Sequence, residues 1–197
     1  MKVKKPGIGA DLKFLPPPEV GKWRLYERMA LQIRNFAGID LAARLDPFAL
    51  AGSINIRVLY LGDLVGLAES SWAHLDVPDG WSGGATQDLG DGSHIVILNR
   101  KHGSGRQAAT LMEEVCHILF GHRPSGIAAD QFGGRSYNFN IEEEAYSVGA
   151  AALVPYYSLK SFLVSGTSVR RIARHFGVTP SLVVYRARGT RLQDFLP

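Results

Sequence analysis

From Lys22 to about Ala37 the apolar residues recur at helical spacing: Trp23, Tyr26, Met29, Ala30, Ile33 and Phe36 or Ala37, with Arg24, Glu27, Arg28 and Arg34 interleaved. That period predicts an amphipathic helix. Asp46-Pro47 then reads as a helix start, Asp as cap and Pro in first position, opening a short helix to about Ala51. Ile54–Tyr60 alternates apolar and polar before turning wholly apolar, which predicts a strand. Trp81–Gln87 fits a strand bent by glycine, Gly90-Asp91-Gly92 a turn, and His94–Asn99 another strand. The spacing suggests a small sheet whose last two strands form a hairpin. The stretch 61–71 favours no element.

Helical spacing returns at about Gln107 to Phe120, after a glycine- and charge-rich loop, with Gly121 as a natural C-cap. Residues 123–140 form a long irregular connection, uncommon unless functional or mobile. Glu142 to about Leu153 reads as a helix that begins with three glutamates, which suit its macrodipole, and is closed by Pro155. Near the end, Ser168–Phe176 and Ser181–Arg188 read as two helices across the turn Gly177-Val178-Thr179-Pro180, a helix-turn-helix signature. The fold class expected is α+β, rich in helix, with a small three-stranded sheet. Residues 1–21, with Pro16-Pro17-Pro18, look like an extended arm; 22–157 make the core and 158–197 the helix-turn-helix-like segment.

Composition narrows the class without naming it. The 197 residues are 46% hydrophobic and 20% charged, as in an ordinary globular domain able to bury a core. No apolar run approaches the roughly 18 residues of a membrane span, and the basic N-terminus lacks the apolar run of a signal peptide. The single cysteine, Cys116, rules out an internal disulfide framework and fits a cytoplasmic location. A net charge of +4 admits an acidic partner without identifying one. More telling is its distribution, with six arginines and no acidic residue between 170 and 191. Arg170, Arg171, Arg174, Arg186 and Arg188 are candidate nucleic-acid contacts, although the same face also fits a segment packed on the core with its arginines solvated.

The helix at 107–120 carries the chemistry. Glu113 and His117 are four apart and share a face, with Cβ atoms roughly 5–6 Å apart. Zinc peptidases place two His at this spacing with a Glu beside the first, the pair holding the metal and the Glu working on its water. Here Glu113 stands where the first His would be. Glu114, about 100° around the helix, would border such a site, where a general base must sit. A third ligand is available from the helix starting at Glu142. A Glu-His-Glu set would make the metal less electrophilic and more open to manganese or iron than a His-His-Glu set. Solvated glutamates and a satisfied core histidine are the plain alternative. Cys116 points to another face, as a small buried hydrophobe would.

These residues resemble the ImmA/IrrE family of metallo-endopeptidases, over roughly residues 22–190. The resemblance lies in Ile95–Asn99 as a strand ending in Asn, then Arg106, then Thr110–His122 as the Thr-Leu-x-His-Glu-x-x-His-x-x-x-Gly-His helix. It also lies in Glu142, Ala145 and the run to Leu153-Val154-Pro155 as the second motif. It implies a zinc-peptidase-like core with His117 and Glu142 as ligands, Glu114 as general base, and Glu113 in the first His position. Glu143 or Glu144 replaces Glu142 if the register slips. His122, Arg106 and Asn99 are candidate second-sphere or substrate groups. The cofactor implied is one divalent ion, zinc first, with manganese or iron open because of Glu113. The family's usual activity is cleavage of a helix-turn-helix repressor in stress or mobile-element responses. Glu113 leaves the alternative of a pseudopeptidase that regulates by binding protein or DNA, and a third reading is a DNA-binding regulator whose N-terminal part senses a ligand or metal.

Overall fold

The computed structural model describes residues 21–64, 69, 77, 81–85, 90–122 and 139–196. Most of the expected N-terminal arm, most of 65–71 and the connection 123–138 lie outside the described residues. The elements are α1 (Gly21–Phe36), α2 (Pro47–Ser53), β1 (Ile56–Tyr60), β2 (Gly83–Ala85), β3 (His94–Leu98), α3 (Ser104–Leu119), α4 (Phe139–Leu153), α5 (Tyr156–Val164), α6 (Val169–Phe176) and α7 (Pro180–Gly189). Short 3₁₀ turns cover Leu61–Asp63 and Gln193–Phe195. This is the α+β, helix-rich class expected. No helix among the described residues is long and apolar enough to cross a membrane.

The three strands lie in the order β1-β3-β2, with β1 parallel and β2 antiparallel to β3. β3 is central, and its Val96 and Leu98 are fully buried. The sheet packs on α3, and α4 packs between α3 and α1. Asp46 caps α2 as its sequence suggested, its carboxylate accepting from the Phe48 N–H at 2.9 Å. One hydrophobic cluster takes in Tyr26 and Ile33 of α1, Leu111 and Val115 of α3, Val148 to Leu153 of α4, and Leu182 and Val183 of α7. Burying each such aliphatic side chain contributes about 1.5–3 kcal/mol.

Three readings are corrected. α3 starts at Ser104, one turn before Gln107. α5, where no element was expected, runs from Tyr156 and puts Leu159 and Leu163 into the common core. In α1, two of the interleaved charged residues belong to the buried face. Glu27 is buried, accepting from the Tyr156 N–H at 2.6 Å and pairing with Arg186. That carboxylate sits at the N-terminus of α5, where the helix dipole favours negative charge. Arg34 is buried too, donating to the carbonyls of Ala152 (2.7 Å), Ala43 (2.6 Å) and Asp40. Burial lowers its pKa to about 10, which leaves it charged at neutral pH.

Candidate metal centre

The face of α3 that carries Glu113 and His117 turns toward the N-terminal turn of α4. Glu142, near the start of α4, lies beside His117 near the end of α3, whereas Gly149, two turns on, lies against Met112 and Glu113. The two helices are therefore antiparallel. Gly149 is needed at their crossing: a Cβ there would sit 3.2 Å from the Met112 carbonyl carbon and 3.3 Å from the Glu113 nitrogen. With Ala145, Ala150, Ala151 and Ala152 around it, the small-residue run lets the helix backbones close together.

This approach assembles a candidate ligand set. One atom each of Glu113, His117 and Glu142 lie within 4.8 Å of one another. His117 Nε2 is 3.4 Å from a Glu142 oxygen. The three consecutive glutamates of α4, beginning at its fourth residue, go separate ways, as residues about 100° apart on a helix must. Glu142 faces His117, Glu143 pairs with Lys22 of α1, and Glu144 meets His122 at 3.2 Å. The geometry thus favours the in-register choice, Glu142, over its two neighbours.

Electrostatics single out the same cluster. Burial first, then the charges of Glu114 and Glu142, push the Glu113 carboxyl up to about 8. Burial and then Glu142 push Glu114 up to about 7. Desolvation pulls His117 below its ordinary value against the opposing pull of Glu142. Ionising both Glu113 and Glu114 in such a space is costly unless a cation compensates them. A donor set of two carboxylates and one imidazole fits a divalent ion, and hard oxygen donors keep manganese and iron open beside zinc. Glu114 stands outside the three-ligand group, and its carboxyl is tuned near neutrality, where a general base works best.

His122 reaches the site through the end of α3. Gly121 adopts the left-handed conformation at φ +66°, which glycine takes without strain. The Gly121 N–H then bonds the Ile118 carbonyl at 3.1 Å, and the His122 N–H bonds the His117 carbonyl at 2.9 Å. This is a Schellman closure, and it folds the His122 ring back on His117, with Nδ1 to Nδ1 at 3.1 Å. The Gly-His pair legible in the sequence thereby becomes part of the cluster.

Other expected site residues are elsewhere. Asn99 is buried and spends its amide on the backbone. It donates to the Val77 (2.9 Å) and Trp81 (3.2 Å) carbonyls and accepts from the Lys101 N–H at 3.0 Å. It braces the β3–α3 connection. Arg106 is exposed at the start of α3, two turns before Glu113, and donates to Ser82 Oγ at 3.1 Å. Arg186 is corrected outright. Its side chain is fully buried, paired with Glu27 and bonded to the Val154 carbonyl at 3.0 Å, so nucleic acid cannot reach it. Arg170, Arg171, Arg174 and Arg188 are exposed. Cys116 is buried and its thiol pKa is raised, mainly by desolvation, in keeping with a packing role.

Two further polar residues, Glu144 and Tyr146, lie close to the cluster. Glu144 had appeared only as a register alternative, because its partner is reached through a turn and not by helical spacing. Tyr146, one turn after Glu142, is half-buried against Tyr185, with ring centroids 5.0 Å apart. The i, i+4 relation to Glu142 was its only signal.

Comparison with curated proteins finds no match. Comparison with protein families matches residues 56–188 to peptidase family M78, described as the IrrE N-terminal-like domain. That stretch runs from the first strand to the penultimate residue of α7, and it contains every member of the cluster. The chain therefore belongs to the M78, ImmA/IrrE-type family of metal-dependent, metallopeptidase-like proteins.

Proposed function

We propose that the protein is a metal-dependent endopeptidase that cleaves a helix-turn-helix transcriptional repressor in a stress or mobile-element response. The observation that carries the catalytic part is the convergence of Glu113, His117 and Glu142 within 4.8 Å, next to a carboxyl tuned near neutrality at Glu114. The repressor substrate rests on family membership alone.

In this reading Glu113, Glu142 and His117 Nε2 hold the ion. When bound, a divalent metal supplies Lewis acidity that lowers the pKa of water and polarises a carbonyl. Glu114 accepts a proton on its carboxylate from the attacking water and returns it to the leaving amine. Burial, the first cause of the raised Glu114 pKa, suits both transfers, because the group must take the proton and also give it up. The small residues of α4 hold the carboxylate of Glu142 at a fixed distance from α3, which orients the set before substrate arrives.

Elemental analysis after offering zinc, manganese and iron should find about one equivalent of metal, lost in Glu113→Ala and His117→Ala. Glu114→Gln should keep the metal but lose repressor cleavage. A protein that stays metal-free with all three ions overturns the proposal.

A second reading, a pseudopeptidase acting by binding, is favoured by Glu113 itself. A carboxylate in place of an imidazole leaves the ion less electrophilic. Under that reading Glu114→Gln keeps the cellular function, and changes at Arg170, Arg171, Arg174 and Arg188 abolish it. Duplex DNA as the partner would show a salt-dependent mobility shift lost on truncation near Ser158.

A further inference from the structure

The cluster extends beyond its three ligands along one line of contacts. His117 turns Nε2 toward Glu142 at 3.4 Å and Nδ1 toward His122 Nδ1 at 3.1 Å. His122 in turn sets its Nε2 3.2 Å from a Glu144 oxygen. Both imidazoles are thus engaged at both nitrogens, and the order of their hydrogens follows from the chemistry.

Two lone pairs cannot face each other at 3.1 Å, so one hydrogen lies between the Nδ1 atoms. If it belongs to His122, then neutral His122 has no hydrogen on Nε2, and a lone pair faces the acceptor-only carboxylate of Glu144. That arrangement is repulsive at 3.2 Å. If it belongs to His117, His122 accepts at Nδ1 and donates from Nε2 to Glu144. Both contacts of His122 are then donor to acceptor. His117 is left with its lone pair on Nε2, 3.4 Å from a Glu142 oxygen, a contact that becomes favourable when a cation lies between them, as the metal-centre reading requires.

We propose that Glu144 and His122 form a hydrogen-ordering relay that fixes the tautomer and ring plane of His117 and so prepares Nε2 as the metal ligand. The proposal rests on the metal-centre reading above and assigns both residues as positioning residues. Outer partners of metal-bound imidazoles commonly play this role. The fold supports it from two sides. The Schellman closure after Gly121 sets the backbone of His122, and its ring is flanked edge-on by Phe120 and His117, with centroids at 5.6 and 5.1 Å. The His122 side chain is only 10% exposed, so water competes poorly for its nitrogens. Glu144 comes from α4, which also delivers Glu142. One helix therefore brings both the third ligand and the anchor of the relay.

The test uses the full chain with zinc as the probe. Zinc dissociation constants are measured by chelator competition for the wild type, His122→Phe, Glu144→Ala, Glu144→Gln and the double variant His122→Phe/Glu144→Ala. Far-UV circular dichroism checks the fold of each. Affinity should fall on the order of 10- to 100-fold in His122→Phe and Glu144→Ala. Glu144→Gln, whose amide oxygen accepts the same hydrogen bond, should recover most of the loss. The double variant should be no weaker than His122→Phe alone, because the two residues act in series. A direct readout is the ¹⁵N spectrum of histidine-labelled, zinc-loaded protein. His117 should carry hydrogen on Nδ1 and His122 on Nε2, with the His122 signal altered in Glu144→Ala. Zinc binding within twofold of wild type in both single variants, or His117 coordinated through Nδ1, overturns the relay while the metal centre stands. Failure of the wild type to bind zinc, manganese or iron overturns both.

Discussion

Glu113 is the proposed ligand that departs from the usual peptidase pattern, and its energetics can be tested without any substrate. Its carboxyl is raised from 4.5 to about 8, by burial first and by Glu114 and Glu142 second. The folded state therefore holds a proton on Glu113 more tightly than the unfolded chain does. The sign follows from linkage: this contribution to stability is fully present below pH 4.5 and is lost as pH rises through about 8. At about 1.4 kcal/mol per pH unit the full span is worth about 5 kcal/mol. Water reaches the half-buried cleft and screens the charges, which brings the expected loss to about 2–3 kcal/mol. For a chain of this size that is a fall in Tm of about 5–10 °C. Glu114 contributes a loss of the same sign, but its window closes at about 7. The interval from pH 7 to 9 therefore isolates Glu113. Urea denaturation of chelator-treated protein across that interval should show declining stability for the wild type and a nearly flat profile for Glu113→Gln. Added zinc should restore the wild type at pH 8 and leave Glu113→Gln almost unchanged. Parallel profiles for the two proteins would refute the argument that Glu113 sits in a crowded, desolvated carboxylate cluster.

Other expectations come from the same geometry. Glu27→Ala strands the buried Arg186 guanidinium and the Tyr156 N–H, and should cost about 3–5 kcal/mol in chemical denaturation, whereas Arg170→Ala should stay within about 0.5 kcal/mol. Gly149→Val puts side-chain atoms where a Cβ alone meets Met112 backbone at 3.2 Å, so it should force α3 and α4 apart and weaken zinc binding by at least tenfold in chelator competition. Cys116, buried with a raised thiol pKa, should resist a thiol reagent in the native state and react once denaturant unfolds the chain.

Sequence periodicity was sufficient for the elements whose pattern is local. The spacing of Trp23 to Ile33 announced α1, Asp46-Pro47 the start of α2, and the apolar run at 94–98 the central strand, because each depends on neighbours within a turn or a pleat. Glu113 and His117 were legible for the same reason: four residues on one helix share a face whatever surrounds them. The choice of Glu142 was readable as a motif, but its separation from Glu143 and Glu144 was not. That depends on where α4 lies between α1 and α3, which the small residues around Gly149 set.

Tertiary structure decided the polar interior. Glu27 and Arg186 are 159 residues apart, and Arg34 reaches carbonyls on two segments. No periodicity distinguishes such charges from solvated ones, because a charged side chain is buried only when a distant partner compensates its desolvation. Asn99, too, meets its backbone partners Val77 and Trp81 only through tertiary packing. By itself the sequence determined which helix bears the chemistry and which residue in it is unusual. Tertiary packing decided which carboxylates gather around His117, which of its nitrogens lies toward Glu142, and which of the arginines is not on the surface at all.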